Sequence, residues 1–282
     1  MNKKFTKRKL QGILFFGGSL LIVASLFGGC AEVPLSQRKS LHIVPQSQML
    51  AMSLQQYDKV LKESNLCKDQ KKVNMVRRVG NRIAGAAEEF LKDSGLGAEI
   101  KSYKWEFNLI EDDKTINAWC MPGGKVAVYT GILPITRNEN GLAVVLGHEV
   151  AHAIARHGNE RMSQSLVASM GGIALAVALK EKPGRTRQLY MAAFGVGASV
   201  GFLLPYSRVH ESEADRIGLT LMARAGYDPR GAIPFWERMS KKGASGARPP
   251  EFLSTHPAPA SRIAALKIHI KEALPYYEKS RK

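Results

Sequence analysis

Val144–His157, "VVLGHEVAHAIARH", sets two histidines and a glutamate into a run of Val, Leu, Ile and Ala that otherwise reads as the interior of a buried helix. Residues four apart project from one face of a helix, so His148 and His152 point the same way. Two imidazoles so spaced place nitrogens at about 2.0–2.1 Å from a single zinc ion, with Glu149 beside the metal and not forced to ligate it. This is the H-E-x-x-H arrangement, two ligands and a general base for an attacking water. The alternative is a pair of core histidines satisfied by hydrogen bonds. The apolar flanks Val144, Val145, Val150 and Ile154 put the motif on a buried helix and favour the metal.

A catalytic zinc site usually has three protein ligands and an open position. The third is sought in Leu204–Gly218, "LPYSRVHESEADRIG", where Glu211 and Asp215 are again four apart. One carboxylate there can bind metal while the other accepts the second ring N–H of a ligating histidine. Glu213 lies about 200° around the helix from Glu211 and is expected, with Arg216, to belong to a solvated face.

These pieces together resemble the HtpX-like and CAAX-prenyl-protease-like zinc metallopeptidases, membrane-linked gluzincins. "INAWCMPGGKVAVYTGIL" (Ile116–Leu133) resembles their Asn-Ala strand and Pro-Gly-Gly turn, "LGHEVAHAIARH" the zinc helix, "SRVHESEADRIG" the E-x-x-x-D element, and "STHPAPASRI" (Ser254–Ile263) a downstream His-Pro and Arg element. The resemblance implies one zinc per chain held by His148, His152 and Glu211, with Glu149 as base and Asp215 behind the ligands. It also implies that His256 and Arg262 approach the metal from the side opposite the ligand helices. His256 precedes Pro257, which restricts it to extended backbone and puts its ring on a loop. Either the pair donates hydrogen bonds to the oxyanion, or His256 occupies the open metal position as a latch, or the two residues only cap a helix. The branch resembled is the periplasmic one associated with envelope quality control.

The chain has 282 residues, 45% of them hydrophobic, enough for one catalytic domain (46–282) with a full core. The formal charge is +17, and the five cations of residues 1–29 account for part of it, leaving +12 spread along the chain. Basic-aromatic interleaving of the single-strand-binding kind is absent, so no nucleic-acid partner is expected; a basic surface also suits anionic lipid headgroups. Residues 1–29 join a basic segment, Lys3–Lys9, to the apolar "GILFFGGSLLIVASLF" and end "LFGG" before Cys30. That order reads as a lipoprotein-type signal peptide, with Cys30 as the lipidated first residue and 30–45 an extended leader; an uncleaved anchor is the alternative, for which the apolar run is slightly short of a span of about 20 residues. The expected location is therefore the bacterial cell envelope, periplasm-facing and lipid-anchored, in the outer membrane. The expected partners are unfolded envelope proteins and the outer-membrane assembly machinery. Cys67 and Cys120 either form a bridge or remain separate thiols.

Hydropathy periodicity predicts helices over Gln46–Ser64, Lys68–Ser94, Pro229–Lys241 and Ala258–Ala273, with short strands over Lys101–Ile110, Thr115–Met121 and Lys125–Thr130. Asn138 or Asn140 caps the zinc helix. The fold class expected is α+β, a mostly helical zincin-like metalloprotease domain with a small sheet beside the zinc helix. An edge strand over Ile116–Cys120, with Asn117 and Ala118 as substrate contacts, would let an extended peptide add to that sheet; the alternative is an internal strand that touches no substrate. Leu166–Leu179 and Tyr190–Leu204, apolar but short for membrane spans, read as closely packed buried helices, with contact with the bilayer or a hairpin over the active site as the alternatives. The function expected is hydrolysis of peptide bonds; a zinc-stabilised chaperone-like protein or a structural partner of assembly complexes are the competing classes. The intact Glu149 favours the enzyme, because a purely structural zinc is normally closed by four ligands.

Overall fold

A computed structural model describes residues 30–244, 249–257 and 260–282. The signal peptide expected over 1–29 lies outside the described residues. In chain order the elements are β1 (Cys30–Glu32), β2 (Lys39–Leu41), α1 (Gln46–Glu63), α2 (Gln70–Asp93), β3 (Glu106–Ile110), β4 (Ala118–Met121) and β5 (Lys125–Tyr129). They continue as α3 (Leu133–Thr136), α4 (Glu139–Ile154), α5 (His157–Ala178), α6 (Gly184–Ala198), α7 (Leu204–Arg224), α8 (Ala232–Ala244), α9 (Glu251–Thr255) and α10 (Ala260–Ser280). The domain is α+β and mostly helical, as the sequence predicts.

Helix α4 is the centre of the core, buried from Gly141 to Ile154. Its start is fixed by the Asn138 side chain, which accepts from the Gly141 N–H at 2.9 Å and satisfies one of the unpaired donors of the first turn. Helix α2 packs on one side through Val76, Val79, Ile83, Ala87, Phe90 and Leu91, the three-and-four spacing of an amphipathic helix. The sheet has strand order β3–β5–β4, with β3 parallel and β4 antiparallel to β5. The β4–β5 turn, Pro122-Gly123-Gly124, needs positive φ at both glycines (85° and 81°), which only glycine adopts without strain. This leaves β4 at the sheet edge.

The two motif helices meet where both carry glycine. A Cβ on Gly218 of α7 would lie 2.9 Å from the backbone of Gly147 and His148 in α4, and one on Gly147 would lie 2.7 Å from the Gly218 carbonyl oxygen. No larger residue fits without separating the helices, and that contact is what brings Glu211 within reach of the histidines. Gly218→Ala is therefore expected to lower stability by about 1–3 kcal/mol through overpacking and to lower zinc occupancy with it. Thermal unfolding and metal analysis of the purified variant measure both.

Three expectations are corrected. The 30–45 leader is not simply extended: β1 and β2 form an antiparallel hairpin, with Ala31 opposite Ser40, held on the domain by buried Val33 and by Arg38. Gly97–Ser102 is a 3-10 turn, so the first strand starts at Glu106. The apolar stretches of α5 and α6 are not buried. Gly171 and Gly172 receive Phe194 of the neighbouring helix, but Met170, Ile173, Val177, Leu189 and Val196 are each more than 60% exposed. Small residues let the two helices pack on each other, which turns the large side chains outward. No helix among the described residues is long and apolar enough to cross a membrane.

Candidate active site

His148 and His152 from α4, Glu211 from α7 and His256 at the end of α9 converge, with one possible ligand atom from each lying within 4.8 Å of all the others. His148 Nε2 is 3.1 Å from His152 Nε2 and 3.1 Å from His256 Nδ1. Glu211 reaches His256 Nδ1 at 2.9 Å, His152 Nε2 at 3.3 Å and His148 Nε2 at 3.4 Å. Donors about 2.0–2.1 Å from a tetrahedral zinc are separated from one another by roughly 3.3 Å. The spacing and the N/O donor set therefore suit zinc.

Glu149, buried beside this group, supplies a second indication. Its Oε1 has no hydrogen-bond partner and sits 3.4 Å from His256 Nε2. Burial raises its pKa, and the nearby His256 and His148 only partly oppose that. A carboxylate oxygen that makes no hydrogen bond at that depth adds little to stability.

Around the four donors, the remaining charges are paired. Asp215 Oδ1 lies 3.1 Å from His148 Nδ1, and Arg262 donates to both Asp215 oxygens at 2.7 Å. Arg262 Nη1 is 3.1 Å from Glu211 Oε2 and donates to the Pro257 carbonyl at 3.0 Å. Its guanidinium also lies over the Trp236 ring, 3.7 Å from the centroid. Burial alone would raise the Asp215 and Glu211 carboxyls; the Arg262 charge for the first, and hydrogen bonds from His148, His152 and His256 for the second, hold them below their ordinary range. For His148 burial pushes downward, but the hydrogen bonds to Asp215 and Glu211 outweigh it and carry the value up to about 9. His152 is pushed well down by burial. A cavity of about 730 Å³ opens beside Glu211, Asp215 and Arg262.

Asn117 is buried, its side-chain oxygen accepting from the Ala118 N–H at 2.9 Å, and Ala118 opens the edge strand β4. Cys120, on the same strand, is close enough to Glu149 for that charge to add to the burial that drives its thiol pKa upward. Cys67 and Cys120 are both free thiols. Cys30 opens β1, paired with Leu41.

Glu213 departs from expectation. It faces away from Glu211, but that side is not solvated: hairpin β1–β2 covers it, and Glu213 is bound to Arg38, Ser36 and His157. Arg216 does lie outside, bonded to Glu272. His157, Glu160, His210 and Arg38, all part of this buried cluster, carry no signal in the motifs. The nearest to one is the spacing of His157, five residues after His152 and directly after Arg156, whose left-handed φ of 57° ends α4 and folds α5 back on it.

Residues 75–270 match the profile of Peptidase family M48. The chain belongs to that family. It is 31% identical to the Mitochondrial metalloendopeptidase OMA1 of Saccharomyces cerevisiae, over 97% of this chain and 81% of the relative. Against the OMA1 of Schizosaccharomyces pombe the identity is 34%, over 93% and 72%. The Beta-barrel assembly-enhancing protease of Escherichia coli is 34% identical over 57% of this chain and 33% of its own length. The M48 chain is thus a zinc metallopeptidase of the expected gluzincin family, and the relatives named above do not single out the HtpX and CAAX-protease branch.

The outer-membrane, lipid-anchored location is overturned by the same comparisons, since the relatives that span nearly the whole chain are named mitochondrial. The physical reason lies in the signal itself. Basic residues before an apolar run, with no acid among residues 1–29, are common to several kinds of targeting segment and do not fix a compartment.

Proposed function

We propose that this M48 endopeptidase cleaves extended segments of unfolded or misassembled proteins, with Glu149 as the general base and with His148, His152 and Glu211 as the metal ligands. The observation that carries the proposal is the convergence of four metal-ligating side chains next to a buried carboxylate oxygen that makes no hydrogen bond. Zinc held there supplies a Lewis acid that polarises the scissile carbonyl and lowers the pKa of the attacking water. Glu149 takes the water's proton at Oε1 and delivers it to the leaving amine. Asp215 accepts from His148 Nδ1–H and fixes that ring, and Arg262, held over Trp236, keeps Asp215 and Glu211 in place.

The substrate segment would add as a fourth strand along β4, the outer strand of the sheet, displacing the bond between the Ala118 N–H and the Asn117 side chain. That edge leads into Ile116, whose carbonyl accepts from the Phe252 N–H at 3.1 Å, so the element carrying His256 is pinned to the end of the substrate strand.

The ligand assignment predicts about one zinc per chain. His148→Ala and Glu211→Ala each lose most of it in metal analysis of the purified proteins. Full occupancy in a variant lacking both His148 and His152 would refute the assignment.

A further inference from the structure

The face of the ligand helices turned away from the cleft carries a second buried cluster. Arg38, on hairpin β1–β2, donates to Glu160 through Nη1 and Nη2, both at 2.7 Å, and to Glu213 through Nε and Nη2, both at 2.9 Å. Ser36 Oγ adds a bond to Glu213 Oε1 at 2.6 Å. Two buried carboxylates side by side are unfavourable unless a cation joins them, and the planar guanidinium fork matches both at once. Unlike the residues beside the cleft, this set has no part in the chemistry described above.

It is, however, connected to the metal group. Glu213 Oε2 is 3.1 Å from His157 Nε2, and His157 Nδ1 is 2.9 Å from His152 Nδ1. The direction of these bonds follows from which groups can donate. An ionised carboxylate only accepts, so the proton is on His157 Nε2. A neutral imidazole holds one proton, so His157 Nδ1 accepts and His152 Nδ1 donates. The lone pair of His152 is then on Nε2, the atom that faces His148 at 3.1 Å and Glu211 at 3.3 Å.

We propose that Arg38 and His157 are positioning residues for the metal: hairpin β1–β2, acting through Glu213 and His157, holds His152 in the tautomer and orientation that present Nε2 to the ion. Each histidine of the H-E-x-x-H motif then has its own orienting acceptor. His148 has Asp215 on the cleft side, and His152 has a chain of groups that ends on the N-terminal hairpin. The sequence separation of 175 residues between Arg38 and Glu213 makes zinc binding depend on the hairpin being docked.

The inference rests on His152 being a ligand, which His152→Ala tests separately by loss of zinc. The relay itself is tested with Arg38→Ala, with His157→Phe, which keeps a ring in place, and with the double variant. Zinc affinity is measured by competition with a chromophoric chelator, and the melting of the zinc-free proteins is followed by circular dichroism. Each single variant is expected to weaken zinc binding by about 10- to 100-fold, as loss of a partner behind a ligand typically does. The double variant should bind no more weakly than His157→Phe alone, because Arg38 acts through His157. Guanidinium added to Arg38→Ala should recover part of the affinity. Zinc affinity within twofold of the parent in His157→Phe would overturn the proposal, whether or not Arg38→Ala folds. So would fully additive losses in the double variant. Zinc lost in His152→Ala but held in His157→Phe leaves the ligand assignment standing and removes the relay alone.

Discussion

Glu149→Gln retains its zinc and loses proteolysis, with kcat lower by about 10³-fold, within the range of roughly 10²–10⁴ that a positioned base contributes. The side chain keeps its shape, and Glu149 is not among the four converging donors, so the metal stays. The fold does not suffer either. Burial already disfavours the charge on Glu149, and its Oε1 makes no hydrogen bond that an amide would forfeit. Thermal stability is expected to equal or exceed that of the parent. The measurement is digestion of unfolded casein and of a quenched peptide, with zinc and melting temperature determined on the same preparations. A rate within tenfold of the parent would remove Glu149 from the chemistry. A binding protein without enzymatic activity would show no cleavage in either form.

This centre could be read from the sequence because its parts are local. The spacing of His148 and His152, and of Glu211 and Asp215, is a statement about one helix at a time, and the helical period is the strongest signal a sequence carries. The Asn138 cap and the Pro122-Gly123-Gly124 turn were legible for the same reason. What could not be read depends on which face another part of the chain covers. Glu213 looks solvated on a helical wheel, and only the docking of Arg38 from the N-terminal hairpin makes it buried and paired. The outward faces of α5 and α6 show the converse, because apolar residues such as Met170 and Val177 read as core by composition alone. Targeting failed for a third reason, since residues 1–29 are read by cellular machinery and not by packing.

We propose the latch for His256, out of the three roles left open by its place before Pro257. Its Nδ1 lies 2.9 and 3.0 Å from the two Glu211 oxygens and 3.1 Å from His148 Nε2, so it takes the fourth corner of the donor set. An oxyanion donor would stand beside an open corner; a ring that fills the corner excludes water and the scissile carbonyl. The ring is held there by Phe252, 4.8 Å away between centroids, and Phe252 is itself pinned through its N–H to Ile116 at the head of the edge strand. On this proposal a peptide adding to β4 would compete for the element that carries His256, and substrate arrival would be coupled to opening of the fourth position. If the open form is a minor state of about 0.1–10%, His256→Ala should raise kcat/KM on a short peptide by about tenfold or more, with zinc retained by the other three ligands. The gain should shrink for long unfolded substrates that already displace α9. A fall in kcat with zinc retained would instead assign His256 to the oxyanion, and unchanged kinetics in a stable variant would leave it capping the loop.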